Sequence, residues 1–277
     1  MKNLLIHVSP KKQFEGEAPI TIKVQIDNSL ALGWKKDDII LATNFDYEYN
    51  GIKALVVADE NFCSFSPCST KIATILELFK RGYIGDDIYW YHDIDVYQCE
   101  PFGPAEIFPN DKMDIAMTDY GWGRTSIWNG GCIFFKKSAI DIFEEVKRLV
   151  YKFKLTDEMA LTIATSGYNK VEVPYDYRVG YKSDDKLTEP IPPFVSSNRV
   201  NQLNIRYNFL FIWQSYRITK LYDKAIKPIK AVHFHPTYHY DNIGVPNMLH
   251  FYMGENDTKQ SFLSETLINS FKNYGIL

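Results

Sequence analysis

Short apolar runs alternate along the chain with polar, turn-forming clusters, and the period within each run predicts its element. Leu4 to Val8 (LLIHV) and Asp38 to Asn44 (DIILATN) are mostly apolar and end in polar turn residues, so each reads as a buried strand. Pro19 to Leu32, closed by Gly33, lies between them. Its Ile20, Ile22, Val24, Ile26 alternation has the strand period, but its place between two parallel-looking strands requires a crossover, and we assign a helix. Lys53 to Asp59 (KALVVAD) predicts a third strand. Ser69 then stands as N-cap to a helix in which Ile72, Ile75, Leu76 and Phe79 recur at helical spacing and Gly82 supplies the C-terminal cap.

The pattern continues with strands at DIYWYHD, at Asp114 to Thr118, and at Gly131 to Lys137. The last leads into a helix from Ser138, with Asp141 three residues on as a capping box. A further helix is expected from Thr156 to Gly167. This order is that of an α/β fold with an open, mostly parallel central sheet flanked by helices. Ser183 to Asn204, rich in Pro, Asn and Ser, reads as a long functional loop because apolar structure follows it. In the tail, Phe262, Leu263, Leu267, Ile268 and Phe271 fall on one helical face, which predicts an amphipathic C-terminal helix packed on the body.

Composition narrows the function without naming it. The 277 residues suit one elaborated domain, and 31 basic against 34 acidic side chains leave a formal charge of −3. That balance lacks the basic face that nonspecific nucleic-acid binding needs. Aromatics make up 15% of the chain, which suits both thick interlayer packing and stacking against sugar or base rings. Cys63, Cys68, Cys99 and Cys132 have no paired CxxC spacing, so they read as reduced thiols and not as a zinc cluster or disulfide framework. The apolar core of MKNLLIHVSP is too short for a signal peptide, and no run reaches the roughly 20 apolar residues of a membrane span, so a cytoplasmic address is expected. Peripheral membrane contact stays open through the aromatic and basic stretch YNFLFIWQSYRITKLYDKAIKPIK.

The chemistry concentrates in YHDID, where Asp93 and Asp95 close an apolar strand. In open α/β sheets, ligands gather at the carboxyl ends of strands. Side chains two apart on an extended segment share a face, so both carboxylates can converge on one hard cation bridged to phosphate oxygens. The plainer alternative is a pair of aspartates starting a turn. No GxxxxGK[ST] or GxGxxG loop is present, which removes the P-loop and simple dinucleotide readings.

The order of HDID, WNGGCIFF, TDEMAL and a late AVHFHP resembles that of the metal-dependent nucleotide-sugar glycosyltransferases with the GT-A fold, from Met1 to about Pro236. The resemblance implies a GT-A domain over residues 1–254, its nucleotide-sugar half at 1–100 and its acceptor half at 101–254, with 255–277 as the terminal helix. It implies that Asp93 and Asp95 hold Mn²⁺ or Mg²⁺ on the diphosphate of a nucleoside-diphosphate, UDP-linked sugar donor. It also implies that His233 or His235 completes the metal shell, His233 being favoured because the family's pattern falls on Val232, His233 and Phe234. By the same likeness His7, Val8 and Ser9, with Thr43 and Asn44, hold base and ribose, and Lys71 reaches ribose or phosphate. Asn129 and Gly130 then form a turn beside the sugars. Asp157 is a base or donor-sugar carboxylate, Glu158 its competitor, and Asp119 a second carboxylate on the rim. The implied acceptor is a glycan, lipid or small-molecule hydroxyl. Two alternatives remain at this point. One is an aspartyl-nucleophile phosphatase, in whose DxDx[TV] pattern Tyr97 departs from the required Thr or Val. The other is a noncatalytic nucleotide- or sugar-binding module.

Overall fold

The structure is a computed structural model, and it describes residues 1–16, 18–119, 127–168, 190–211 and 223–234, together with 269 and 272–273. In chain order the strands and helices are β1 (Lys2–His7), α1 (Ala18–Ala31), β2 (Ile39–Thr43), β3 (Glu48–Tyr49), β4 (Ile52–Lys53), β5 (Leu55–Val56) and α2 (Thr70–Lys80). There follow β6 (Tyr89–His92), β7 (Val96–Gln98), α3 (Pro104–Ile107), β8 (Ile115–Asp119), β9 (Trp128–Phe135), α4 (Ile140–Phe153) and α5 (Asp157–Ser166). The last are β10 (Val200–Leu203), β11 (Phe209–Phe211) and β12 (Ala231–Phe234).

Seven strands form one sheet in the order β10-β8-β9-β6-β1-β2-β5. It is parallel except at β9, which runs antiparallel to both β6 and β8. Three strands form a second, small sheet in the order β11-β12-β7. The crossover α1 is a helix, as its place between two parallel strands requires: Ile22, Val24 and Ile26 are all fully buried, and of the polar residues between them Gln25 is buried and Lys23 half-buried. One face of the large sheet packs Leu4, Tyr89, Ile133 and Phe135 against Ile72, Ile75, Phe143, Val146 and Leu161 from α2, α4 and α5. Each such side chain, once buried, contributes about 1.5–3 kcal/mol of transfer free energy.

Several local expectations are corrected. The third strand is split: Ile52–Lys53 pairs with β3 in a hairpin, and only Leu55–Val56 joins the large sheet. Ser138 forms no capping box, because its hydroxyl donates to Asp114 while Asp141 takes the Arg199 guanidinium. The loop expected up to Asn204 ends earlier, since Val200–Leu203 is an edge strand parallel to β8. An edge strand carries polar side chains without penalty, and this hid Val-Asn-Gln-Leu from a reading based on apolar runs. WNGG is no turn but the first half of β9. His235, the stretch 169–189 and the expected C-terminal helix apart from 269 and 272–273 lie outside the described residues.

Candidate functional site

Because β1, β2 and β6 are parallel, their carboxyl ends share one edge of the sheet. Antiparallel β9 brings its N-terminal half to that same edge, with Cys132 opposite His92 and Trp128 opposite Asp119. A cavity of ≈ 570 Å³ opens there. His7, Val8, Ser9, Lys71, Tyr91, Asp93 and Asp95 contribute to its lining.

The two aspartates converge, though not by strand alternation. Asp93, Ile94 and Asp95 form a turn closed by the Val96 N–H donating to the Asp93 carbonyl at 3.0 Å, after which β7 leaves for the small sheet. That sheet carries His233 on β12, paired in register with Val96. His233 Nε2 lies 3.3 Å from Asp95 Oδ1, and ligand atoms of Asp93, Asp95 and His233 all fall within 4.8 Å of one another. Two carboxylates and an imidazole at such spacing fit a divalent cation.

The glycines of β9 make this convergence possible. A Cβ on Gly131 would collide with the His233 ring, and one on Gly130 would collide with Asp157. Only bare backbone lets both groups approach the strand. Gly131 also accepts the Asp93 N–H at 2.9 Å, Gly130 donates to Glu158 Oε1 at 3.0 Å, and the Gly130 carbonyl accepts from Lys71 Nζ at 2.7 Å. Lys71 is buried and not a solvated surface lysine: its ammonium lies 3.0 Å from Asp157 Oδ2 and 3.3 Å from Asp93 Oδ1.

The electrostatics follow from that burial. Desolvation opposes charge on Lys71, but Asp157 and Asp93 more than offset it and hold the ammonium well above its ordinary value. Burial would raise the Asp93 carboxyl, yet Lys71, His233 and the hydroxyl of Tyr91 keep it below the usual range. His233 is pushed down by burial and carried up further by Asp95 and Asp93, for a net rise. His92 behaves otherwise. It is fully buried, stacked on Trp90 at 4.0 Å, and pushed down to about 4 chiefly by desolvation, so it is neutral and structural. Cys68 also lines the cavity and is exposed, its Sγ 3.3 Å from the Ser66 hydroxyl.

The remaining residues singled out from the sequence divide into lining and support. Asn44 is not in the cavity wall; it accepts from Ser9 N at 2.9 Å and donates to Ser9 O at 2.8 Å, fixing the loop after β1. Thr43 is buried, its hydroxyl on the Phe45 carbonyl. Asn129 is buried and accepts from Gly131 N and Asn208 Nδ2 at 2.8 and 2.9 Å. Asp119 accepts from Gln202 at 2.8 Å, outside the cavity wall. Tyr91, two residues before Asp93 on the strand, was missed, although that i, i+2 spacing is visible in the sequence. Gln25 and Asn208 were missed too, and they left no local signal.

No protein-family model and no curated protein sequence matches the chain. Among solved structures, the galactosyltransferase LgtC in complex with donor and acceptor sugar analogues is similar over 100% of this chain and 96% of its own, at TM-score 0.55 and 15% identity. An active-site variant of LgtC is similar over 90% of this chain and 93% of its own, at TM-score 0.53 and 14% identity. The glycosyltransferase GlyE of Streptococcus pneumoniae TIGR4 is similar over 99% of this chain and 62% of its own, at TM-score 0.50 and 10% identity. The mainly parallel sheet, its flanking helices and these similarities agree, and the chain has the GT-A glycosyltransferase fold.

Proposed function

We propose that this protein is a glycosyltransferase, moving a sugar from a nucleoside-diphosphate donor to a hydroxyl acceptor with a divalent cation held by Asp93, Asp95 and His233. The observation that carries the reading is the meeting of these three side chains, from two sheets, at a cavity on the carboxyl edge of the large sheet. When bound, the cation supplies Lewis-acid stabilisation of the negative charge that builds on the leaving diphosphate.

The chain's own residues then divide the work. His7, Val8 and Ser9 border the space for base and ribose, and Asn44 holds that loop in place. Lys71 keeps Asp93 ionised as a ligand and presents positive charge to the cavity. Asp157, buried and paired to Lys71 outside the cavity wall, holds that ammonium in place. The GT-A fold speaks against the aspartyl-nucleophile phosphatase reading, which had rested on an apolar strand followed by a DxDx[TV]-like pattern from which Tyr97 departs.

The test uses Asp93→Ala and Asp95→Ala against Mn²⁺-dependent transfer or hydrolysis of a panel of UDP- and GDP-linked sugars. Each substitution is expected to lower turnover by about 10²–10³-fold or more. Undiminished turnover in both would overturn the assignment. Metal-dependent nucleotide binding by the wild type with neither transfer nor hydrolysis would favour a noncatalytic module instead.

A further inference from the structure

The turn that bears Asp93 and Asp95 is held from behind by a residue far from it in sequence. Gln25, on α1, is 1% exposed. Its side-chain nitrogen donates to the Ile94 carbonyl at 2.9 Å and to the Val96 carbonyl at 2.6 Å, so both amide hydrogens go to the two residues that flank Asp95. The position is otherwise apolar in character: Ile22, Val24 and Ile26 around it are fully buried, and an aliphatic side chain at 25 would leave two carbonyls of the turn without these donors. One turn further along the helix Asn28, equally buried, donates to the Gln98 carbonyl at 2.8 Å and so holds the far end of β7 and not the turn.

We infer that Gln25 is a positioning residue for the cation site: its amide fixes the backbone on both sides of Asp95, so that the carboxylate meets Asp93 and His233 without reorganising when a cation binds. The inference rests on the metal site proposed above. The Asp93 N–H is held at one side of the turn by Gly131, and the carbonyls of Ile94 and Val96 are held at the other by Gln25. The turn is therefore clamped between β9 and α1. Groups behind a metal's ligands set their orientation, and losing one typically weakens metal binding 10–100-fold.

Mn²⁺ binding is measured directly, by the loss of the free-ion electron paramagnetic resonance signal, on the full chain of the wild type and of Gln25→Met, Gln25→Glu and Asn28→Leu. Circular dichroism and thermal melting are recorded for each. Gln25→Met keeps the volume and removes both donors, and it is expected to bind Mn²⁺ about tenfold or more weakly while remaining folded. Asn28→Leu is expected to lower the melting temperature comparably and to leave Mn²⁺ affinity within about twofold of wild type, because it touches β7 beyond the turn. If Gln25→Met does not fold, the isosteric Gln25→Glu carries the same expectation. A folded Gln25 variant that binds Mn²⁺ as the wild type does overturns the role of Gln25 and leaves the metal site standing, as does equal weakening by Asn28→Leu. A wild type that takes up no Mn²⁺ overturns the metal site and the inference together.

Discussion

The two faces of the large sheet are built on different principles. Toward α2, α4 and α5 the contact is mainly apolar, with Leu4, Tyr89, Ile115, Met117, Ile133 and Phe135 meeting helix residues such as Ile75, Phe143 and Leu149, and its buried charges, Lys71 and Asp157, gather at the cavity end. Toward α1, an apolar patch of Leu5, Leu41, Ile22 and Ile26 is interleaved with buried polar groups. There Asn3 donates to Ser29, His92 meets Asn3, and Gln25 and Asn28 reach the backbone around β7. Dispersion is non-directional and tolerates small shifts, whereas hydrogen bonds in a dry interior fix position and are costly to leave unmade. The apolar contacts hold the molecule together, and the polar groups of α1, with Gly131 of β9, set where the turn with the two aspartates stands.

Substitutions can set the two faces against each other. The largest effect is expected from Phe135→Ala, which empties a fully buried aromatic site on the apolar face and should remove about 3–5 kcal/mol of stability. Urea titration would measure it, and the folded fraction should keep its Mn²⁺ affinity. A large loss of affinity there would mean that the faces are not separable.

Lys71→Met comes next, because it leaves Asp93 and Asp157 without their shared cation. Breaking such a buried pair is expected to cost about 3 kcal/mol near neutral pH. The sign with pH follows from the shifts. Asp93 is held low, so its stabilisation is present above the unfolded carboxyl value of about 4 and lost as pH falls through the lower folded value; Lys71 is held high, so its share is present below about 10 and lost above. The gap between wild type and variant should therefore be widest between about pH 4 and pH 10 and close on either side. A gap that stays constant across acid titration would refute the pairing as its cause.

Gly131→Ala is expected to be smaller in stability, about 1–3 kcal/mol, as the added methyl pushes on the His233 ring. Its signature is selectivity: Mn²⁺ affinity should fall while the stability of the apolar face, read by exchange of the α4 amides, stays near wild type.

What could be read from sequence follows the same division. Elements of the apolar face carry their own period: Ile72, Ile75 and Phe79 on α2, and Ile142, Phe143, Val146, Leu149 and Val150 on α4, whose apolar positions mark one side of each helix. Asp93, Asp95 and His233 were singled out through the order of short motifs that resembles the GT-A pattern, not through the DxD spacing alone, and the structure brings their ligand atoms within 4.8 Å of one another. The clamp around them was not legible. Gln25 and Asn28 look like the outward polar positions of a strand or helix, and only the packing of α1 over β7 turns them inward. Gly130 and Gly131 suggest a turn to any reading of local propensity, because the side chains that require bare backbone there, Asp157 and His233, come from elsewhere in the chain. Lys71 looks solvated for a like reason, since its partners lie on other elements.

The small sheet β11-β12-β7 joins a strand from the first hundred residues to two that follow residue 205. During synthesis the strands and helices through α5 leave the ribosome well before β12, so Asp95 waits beside a half-built site until residue 233 arrives. Contacts this distant along the chain form late in folding. Assembly of the proposed cation site is thereby deferred to the last stage of maturation: a polypeptide arrested before β12 can have most of its hydrophobic interior in place and still lack the imidazole of His233 beside Asp93 and Asp95.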